Sequence, residues 1–143
     1  MLKGISPILS PDLLKILAAM GHGDDLVIGD SNFPADALGK RCVRADGARS
    51  TDLLDAILRL FPLDTFVDAP VTLMKVVPGT LDGEPPIWNE FRGIIDRREP
   101  GKKIRFVERE TFYDITRNAY ATVAATETAL YACLIIKKGV VSI

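Results

Sequence analysis

Histidine and cysteine are both scarce in this chain of 143 residues, which contains one histidine and two cysteines. Zinc sites usually take three or four ligands from these residue types, so the composition excludes the usual zinc sites. Cys42 and Cys133 allow one disulfide at most and provide no disulfide framework. We expect both to be free thiols in a protein of a reducing compartment.

The chain also lacks a net charge of either sign, since 18 basic residues against 19 acidic residues leave a formal charge of −1. Such a protein has no overall field that would attract nucleic acid or anionic lipid. The densest basic stretch, residues 92–105, is interrupted by Asp96 and Glu99. We interpret it as a solvated surface and expect neither nucleic acid nor a membrane as a partner.

Long apolar runs are missing as well. The stretch 13–20 follows Pro11 and Asp12, has no basic leader and ends in glycines and aspartates, so it is not a secretory signal. Residues 119–136 include Glu127 and are too short and too polar to span a membrane. These absences predict a cytoplasmic protein.

Helical and strand patterns alternate along the chain, and 48% of the residues are hydrophobic, which suffices for the core of a single domain spanning residues 1–143. The patterns predict helices over 11–20, 53–61, 86–98 and 109–118, and strands over 26–30, 41–45, 71–77, 103–107, 121–125 and 130–136. Such alternation is typical of the α/β class. We therefore predict a three-layer α/β/α sandwich with helices on both faces of a central, largely buried sheet.

Two residues in the first third of the chain are candidates for chemistry. His22 lies between Gly21 and Gly23 in the turn after the first predicted helix, where the glycines allow close approach to a ligand. Asp30 ends the first predicted strand, and the sites of α/β sheets lie at such strand ends. The alternatives are an incidental surface histidine and an Asx turn ahead of Pro34.

Other familiar chemistries have little support. The chain has no serine nucleophile elbow, and the glycines around His22 lack the spacing of dinucleotide-binding or phosphate-binding loops. Arg109 begins a predicted helix between Glu108 and Glu110. Acidic residues at the start of a helix are explained by their favourable interaction with the helix dipole, without any role in ligand binding. Tyr131, taken alone, is an aromatic residue at the margin of the core.

Six segments of the chain carry a combined pattern: 21–24, 30–34, 44–47, 62–65, 109–113 and 127–139. Taken together, these segments resemble the L-fucose mutarotase and D-ribose pyranase family over essentially the whole chain. The fucose branch fits better, because Arg109 stands where the ribose branch is expected to carry a histidine.

The resemblance implies a site in which His22 is the proton donor and Asp30 accepts hydrogen bonds from sugar hydroxyls or orients the imidazole. Tyr113 is a further candidate for acid/base catalysis. The remaining substrate-binding residues would be Arg109, Tyr131, Ala132 and Cys133. The family usually has asparagine in place of Cys133, so we expect this chain to differ from its relatives in preference among sugars.

The implied activity is interconversion of the α and β anomers of L-fucose or a related monosaccharide, with ribose pyranase activity as the close variant and no metal or cofactor. One alternative is a noncatalytic monosaccharide-binding or transport-accessory module, in which His22 only hydrogen-bonds the ligand. Another is an unrelated structural domain. The resemblance also implies a homo-oligomer, and closed rings such as decamers are known in the family. Trp88, Phe91 and Ile95 would offer a packing surface for assembly or, equally, a face of the core.

Overall fold

A computed structural model describes all residues from Met1 to Ile143. Six strands and five helices follow one another along the chain, and no helix has the length and apolar character needed to cross a membrane. Their order and bounds are α1 (Pro11–Ala19), β1 (Asp25–Gly29), α2 (Ala35–Leu38), β2 (Cys42–Ala45), α3 (Ser50–Leu58), β3 (Val71–Met74), α4 (Ile87–Arg98), β4 (Ile104–Val107), α5 (Arg109–Asn118), β5 (Ala121–Ala125) and β6 (Leu134–Lys137).

The strands form one sheet in the order β2-β5-β1-β6-β3-β4. Five strands run parallel to one another, and β6 runs antiparallel to both of its neighbours, β1 and β3. The carboxyl ends of the five parallel strands therefore share one edge of the sheet with the start of β6, which we call the carboxyl edge. The amino ends of those strands share the opposite edge, the amino edge, with the end of β6.

Side chains alternate between two apolar layers, one on each face of the sheet. In β1, Leu26 and Ile28 belong to the larger core cluster, whereas Val27 belongs to the smaller one. The larger cluster includes buried residues of α1, α3 and α4, and the smaller one is closed by Phe112 of α5. The predicted α/β/α sandwich is thereby confirmed.

Local sequence signals account for the helix bounds. The Ser10 side chain accepts a hydrogen bond from the Leu13 amide at 3.2 Å, and Pro11 occupies the first turn of α1, where its missing N–H costs nothing. The predicted bounds of α5 and β5 agree with the structure. α3 begins at Ser50, three residues before the predicted start, because Arg49 is its N-cap.

The elements differ from the prediction at several places, including the end of α3, which lies at Leu58 and not at Phe61. The last strand begins at Leu134 and not at residue 130, because Tyr131 has a φ of 57°, which a strand does not accommodate. The short helix α2 was not predicted, and β3 ends at Met74, three residues early. Trp88, Phe91 and Ile95 are buried in the larger core cluster, so they are not a surface for assembly.

Candidate active site

The predicted site residues lie at two opposite edges of the sheet. His22 precedes β1 at the amino edge, and Asp30 follows the same strand at the carboxyl edge. A strand of five residues spans roughly 15 Å, so the two side chains do not share a pocket within one chain. Every other predicted residue is on the carboxyl edge or in the first turns of α5, which starts there.

At the amino edge, His22 is paired with a carboxylate that the sequence did not reveal as its partner. Nε2 of His22 lies 2.9 Å from Oδ1 of Asp64. The Asp64 side chain is 3% exposed, whereas the imidazole is 43% exposed and its ring centroid lies 4.9 Å from that of Phe66. The pair therefore joins a buried acid to a histidine that solvent and ligands can reach.

The surroundings of Asp64 keep it ionised. Burial alone would raise its pKa, but hydrogen bonds from the Phe66 amide, from His22 and from the Thr65 amide outweigh burial and hold the pKa below its usual range. An ionised carboxylate only accepts hydrogen bonds, so Nε2 of His22 carries its proton. Nδ1 is then the ring nitrogen available to exchange a proton with a ligand.

The end of β6 holds the two loops of this pair together. The Gly23 amide donates to the Lys138 carbonyl at 2.8 Å, and the Asp64 amide donates to the Lys137 carbonyl at 3.0 Å. Gly139 donates to the carbonyl of Pro62 at 2.7 Å, and a Cβ at Gly139 would lie 2.7 Å from the Leu63 carbonyl oxygen. The glycine is thus required for this close approach.

Asp30 is the buried acid of the carboxyl edge, 9% exposed. Burial raises its pKa, and the nearby Glu127 adds to the rise, although amide hydrogen bonds from Asn32, Phe33 and Ala132 oppose it. The Asn32 amide lies 2.9 Å from Oδ1. Because Asp30 and His22 lie at opposite edges of the sheet, Asp30 does not orient the imidazole within one chain. Asp64 has that role, and Asp30 is a carboxyl group whose charged form is costly.

Hydrogen bonds hold Tyr131 both at its backbone carbonyl and at its phenolic hydroxyl. Its carbonyl accepts a hydrogen bond from the indole N–H of Trp88 at 3.0 Å, and its φ of 57° lies in the left-handed region that non-glycine residues rarely adopt. The phenolic oxygen accepts the Val77 amide at 3.0 Å and lies 2.6 Å from Oγ1 of Thr80. These contacts fix the ring beside the loop that follows β3.

Ala132 and Cys133 connect Tyr131 to β6. The Ala132 amide is near enough to Asp30 to lower the pKa of its carboxyl group. The Cys133 thiol is 2% exposed and belongs to the smaller core cluster with Val27 and Phe112. Burial, and secondarily the charge of Asp30, raises its pKa, so it stays protonated. Both cysteines of the chain are free thiols.

Arg109 and Tyr113 lie one turn apart at the start of α5. The Arg109 side chain is 56% exposed, and its Nε lies 3.4 Å from the Glu110 carboxylate. The Tyr113 ring meets the ring of Phe33 edge-on, with 5.7 Å between the centroids. Because Phe33 follows Asp30 in the same loop, Tyr113 is connected to the carboxyl edge through this contact.

Each edge has its own cleft. A cleft of about 350 Å³ at the carboxyl edge is lined by Asp30, Phe33, Arg44 and Thr126 among others, and one of about 430 Å³ at the amino edge includes Asp64 and Phe66. Both volumes fall within the range of small-molecule sites. Among the predicted site residues, only Asp30 lines the carboxyl-edge cleft, and His22 does not itself line the amino-edge cleft.

Comparison with known proteins agrees with the resemblance seen in the sequence. The model of the RbsD / FucU transport protein family matches residues 3–141. The chain belongs to this family. It is 43% identical to the fucose mutarotase of Homo sapiens, over 99% of this chain and 96% of the human protein. It is 47% identical to the fucose mutarotase of Danio rerio, over 98% of this chain and 94% of that protein.

Solved structures of the RbsD / FucU family have the same fold. The fucose mutarotase from Streptococcus pneumoniae, in complex with L-fucose, superposes with a TM-score of 0.93 at 45% identity, covering 99% of this chain and all of that one. Bacillus subtilis RbsD, complexed with D-ribose, superposes with a TM-score of 0.74 at 20% identity. The second comparison shows a shared fold alone.

Proposed function

We propose that this protein is an isomerase, a sugar mutarotase that interconverts the α and β anomers of L-fucose or a related monosaccharide without a metal or cofactor. The observation that carries the chemistry is the 2.9 Å contact between His22 and the buried Asp64. The similarity over nearly the whole chain to proteins named fucose mutarotase supports the choice of sugar.

Mutarotation requires only proton transfer. The sugar ring opens when its ring oxygen gains a proton, the anomeric hydroxyl loses one and the bond between C1 and the ring oxygen breaks. The resulting aldehyde closes again on its other face. An imidazole held by a carboxylate suits this acid/base task near neutral pH. In the proposal, His22 in its imidazolium form gives the Nδ1 proton to the ring oxygen and returns to the neutral tautomer with its proton on Nε2, while a water molecule takes the proton of the anomeric hydroxyl. Asp30 and Arg109 bind sugar hydroxyls.

The two edges would meet in a homo-oligomer. A pyranose is much smaller than the roughly 15 Å between the ends of β1, so one sugar touches both His22 and Asp30 only if the amino edge of one copy faces the carboxyl edge of the next. Such a head-to-tail contact uses two different surfaces, and it gives a closed ring when the rotation between successive copies divides a full turn evenly. We propose this arrangement, with the decameric ring of the family resemblance as its specific form.

Exposed apolar side chains at both edges support this assembly. At the amino edge, Phe66 is 78% exposed beside His22. At the carboxyl edge, Leu130 is 53% exposed next to Tyr131. Large apolar side chains that are exposed to solvent beside candidate site residues are typical of surfaces that become buried against another protein molecule.

The matching family is described as a transport protein family, which favours a second candidate function. The protein would then bind a monosaccharide without catalysing anomer exchange. For either function, two free cysteines are consistent with a reducing compartment, and we propose a cytoplasmic location.

Exchange NMR on equilibrated L-fucose tests the proposed function. A mutarotase produces exchange peaks between the α and β anomeric signals, at a rate proportional to protein concentration. A binding module shifts or broadens the signals without linking them. D-ribose in a parallel sample reports on the pyranase variant, and the His22→Ala protein is the matched control. Absence of protein-dependent exchange with every sugar tested would refute the proposal.

A further inference from the structure

The phenolic hydroxyl of Tyr131 donates its proton in a hydrogen bond within the protein. Oγ1 of Thr80 donates to the carbonyl of Val77 at 2.6 Å, and a carbonyl oxygen only accepts. The Thr80 hydroxyl has one proton, so in its 2.6 Å contact with Tyr131 the phenol is the donor. The Val77 amide donates to the same phenolic oxygen at 3.0 Å. The phenol thus gives its proton to Thr80 and keeps acceptor capacity for one more partner.

No proton path leads away from this phenol through the protein. The chain of donors runs from Tyr131 to Thr80 and ends on the Val77 carbonyl, an amide oxygen that does not take up a proton near neutral pH. In this arrangement Tyr131 is neither a proton donor to a ligand nor a base. What it offers a ligand is a hydrogen-bond acceptor at a fixed position.

The position of Tyr131 is itself maintained at a cost. A non-glycine residue in the left-handed region is strained, and this backbone conformation persists only where its surroundings determine it. Here the indole of Trp88 holds the carbonyl of Tyr131, while Val77 and Thr80 hold the hydroxyl. Thr80 is the member of this set that determines the direction of the phenolic proton.

We propose that Thr80 is a positioning residue for the sugar site: by accepting the proton of Tyr131, it makes the phenol an acceptor for a hydroxyl of the monosaccharide. The proposal rests on the proposed function and on the sugar contact that the family resemblance implies for Tyr131. It adds a specificity element, because a site with a fixed acceptor favours a sugar that has a hydroxyl at that place over a deoxy sugar that lacks it.

The test compares Thr80→Val with Thr80→Ser. Valine has the shape of threonine without the hydroxyl, whereas serine keeps the hydroxyl and loses the methyl group. The interaction with the sugar hydroxyl is present in the ground state and in the transition state, so Thr80→Val should raise KM for anomer exchange by about 3- to 10-fold, the effect of one hydrogen bond, with kcat nearly unchanged. Thr80→Ser should retain the wild-type KM.

A second readout needs no sugar. The Val77 amide donates to the phenol, so its hydrogen-exchange rate, followed by NMR, reports on the position of Tyr131. Thr80→Val should accelerate this exchange several-fold, Tyr131→Phe should do the same, and Thr80→Ser should not. Because this measurement is made without ligand, it tests the positioning role even if the wild-type protein exchanges no anomers, a result that would refute the proposed function alone.

Three results would overturn the proposal. One is an unchanged KM and an unchanged Val77 exchange rate in Thr80→Val. Another is a Thr80→Ser protein as impaired as Thr80→Val, which would show that the hydroxyl of residue 80 is not what maintains the site. The third is a drop in kcat at constant KM in Thr80→Val, which would mean that Tyr131 acts in proton transfer and not as a fixed acceptor.

Discussion

The imidazole of His22 and the carboxylate of Asp64 form a pair at 2.9 Å, although 42 positions separate them in the chain. The pair resembles the carboxylate and imidazole of acid/base enzymes, in which a buried acid fixes the tautomer of a more exposed histidine. It lies at the opposite edge of the sheet from Asp30. This separation determines how the proposed function is best tested.

Replacement of His22 by alanine should lower the rate of anomer exchange by roughly 10²- to 10⁴-fold, the usual contribution of one positioned proton-transfer group. The fold should persist, because Gly23 and the end of β6 set the path of this loop and the imidazole is partly exposed. Exchange NMR measures the rate, and circular dichroism checks the fold. A folded variant with the wild-type rate would exclude the imidazole as the acid and leave Tyr113 as the next candidate.

Asp64→Asn should reduce anomer exchange by roughly 10²-fold or more, because an amide does not hold the imidazole in one tautomer as a carboxylate does. It should also change the stability in acid. The pKa of Asp64 in the folded protein is below its value of about 3.9 in an unfolded chain. Its contribution to the free energy of unfolding is therefore present above pH 4 and lost as the pH falls through the folded pKa.

Urea unfolding of wild type and Asp64→Asn, at pH 7 and near pH 2.5 and at one subunit concentration, checks this. The wild type should be more stable by about 1–3 kcal/mol at pH 7, and the difference should shrink in acid. A difference that is the same at both pH values would show that the charge of Asp64 contributes nothing to stability.

Asp30→Asn should behave in the opposite way. Burial raises the pKa of Asp30 above its unfolded value, so its contribution to stability is fully present below about pH 4 and is lost as the pH rises through the folded pKa. The asparagine variant should therefore gain stability relative to wild type between pH 4 and pH 8, while it binds sugar more weakly. Thermal unfolding across this range gives the difference, and a difference independent of pH would contradict the assignment.

The sequence alone predicted the bounds of those elements whose start and stop signals lie within one segment of the chain. α5 begins after the Glu108 N-cap and ends at Asn118 as predicted, because its apolar stripe and its end signals lie within one segment. The sequence was insufficient where geometry depends on distant partners. Nothing near Tyr131 predicts its positive φ, which the Trp88 indole and the loop after β3 support.

The candidate site shows the same limit. Asp30 and the segment 131–133 meet because β1 and β6 are neighbours in the sheet, and strand order is not readable from the order of elements along the chain. The partner of His22 was missed for a related reason, since Asp64 lies in an unremarkable turn after α3 that only the end of β6 brings to the histidine.

Complementation between two inactive variants tests the central claim, a site shared between copies, most directly. The His22→Ala protein keeps an intact carboxyl edge, and an Asp30→Ala protein keeps an intact amino edge. If the two are co-expressed in equal amounts and mix at random, about a quarter of the head-to-tail contacts join two intact edges. The account predicts that each variant alone is nearly inactive and that the mixed assembly recovers roughly a quarter of the wild-type rate of L-fucose anomer exchange. A mixed assembly no more active than the average of the two separate variants would contradict it.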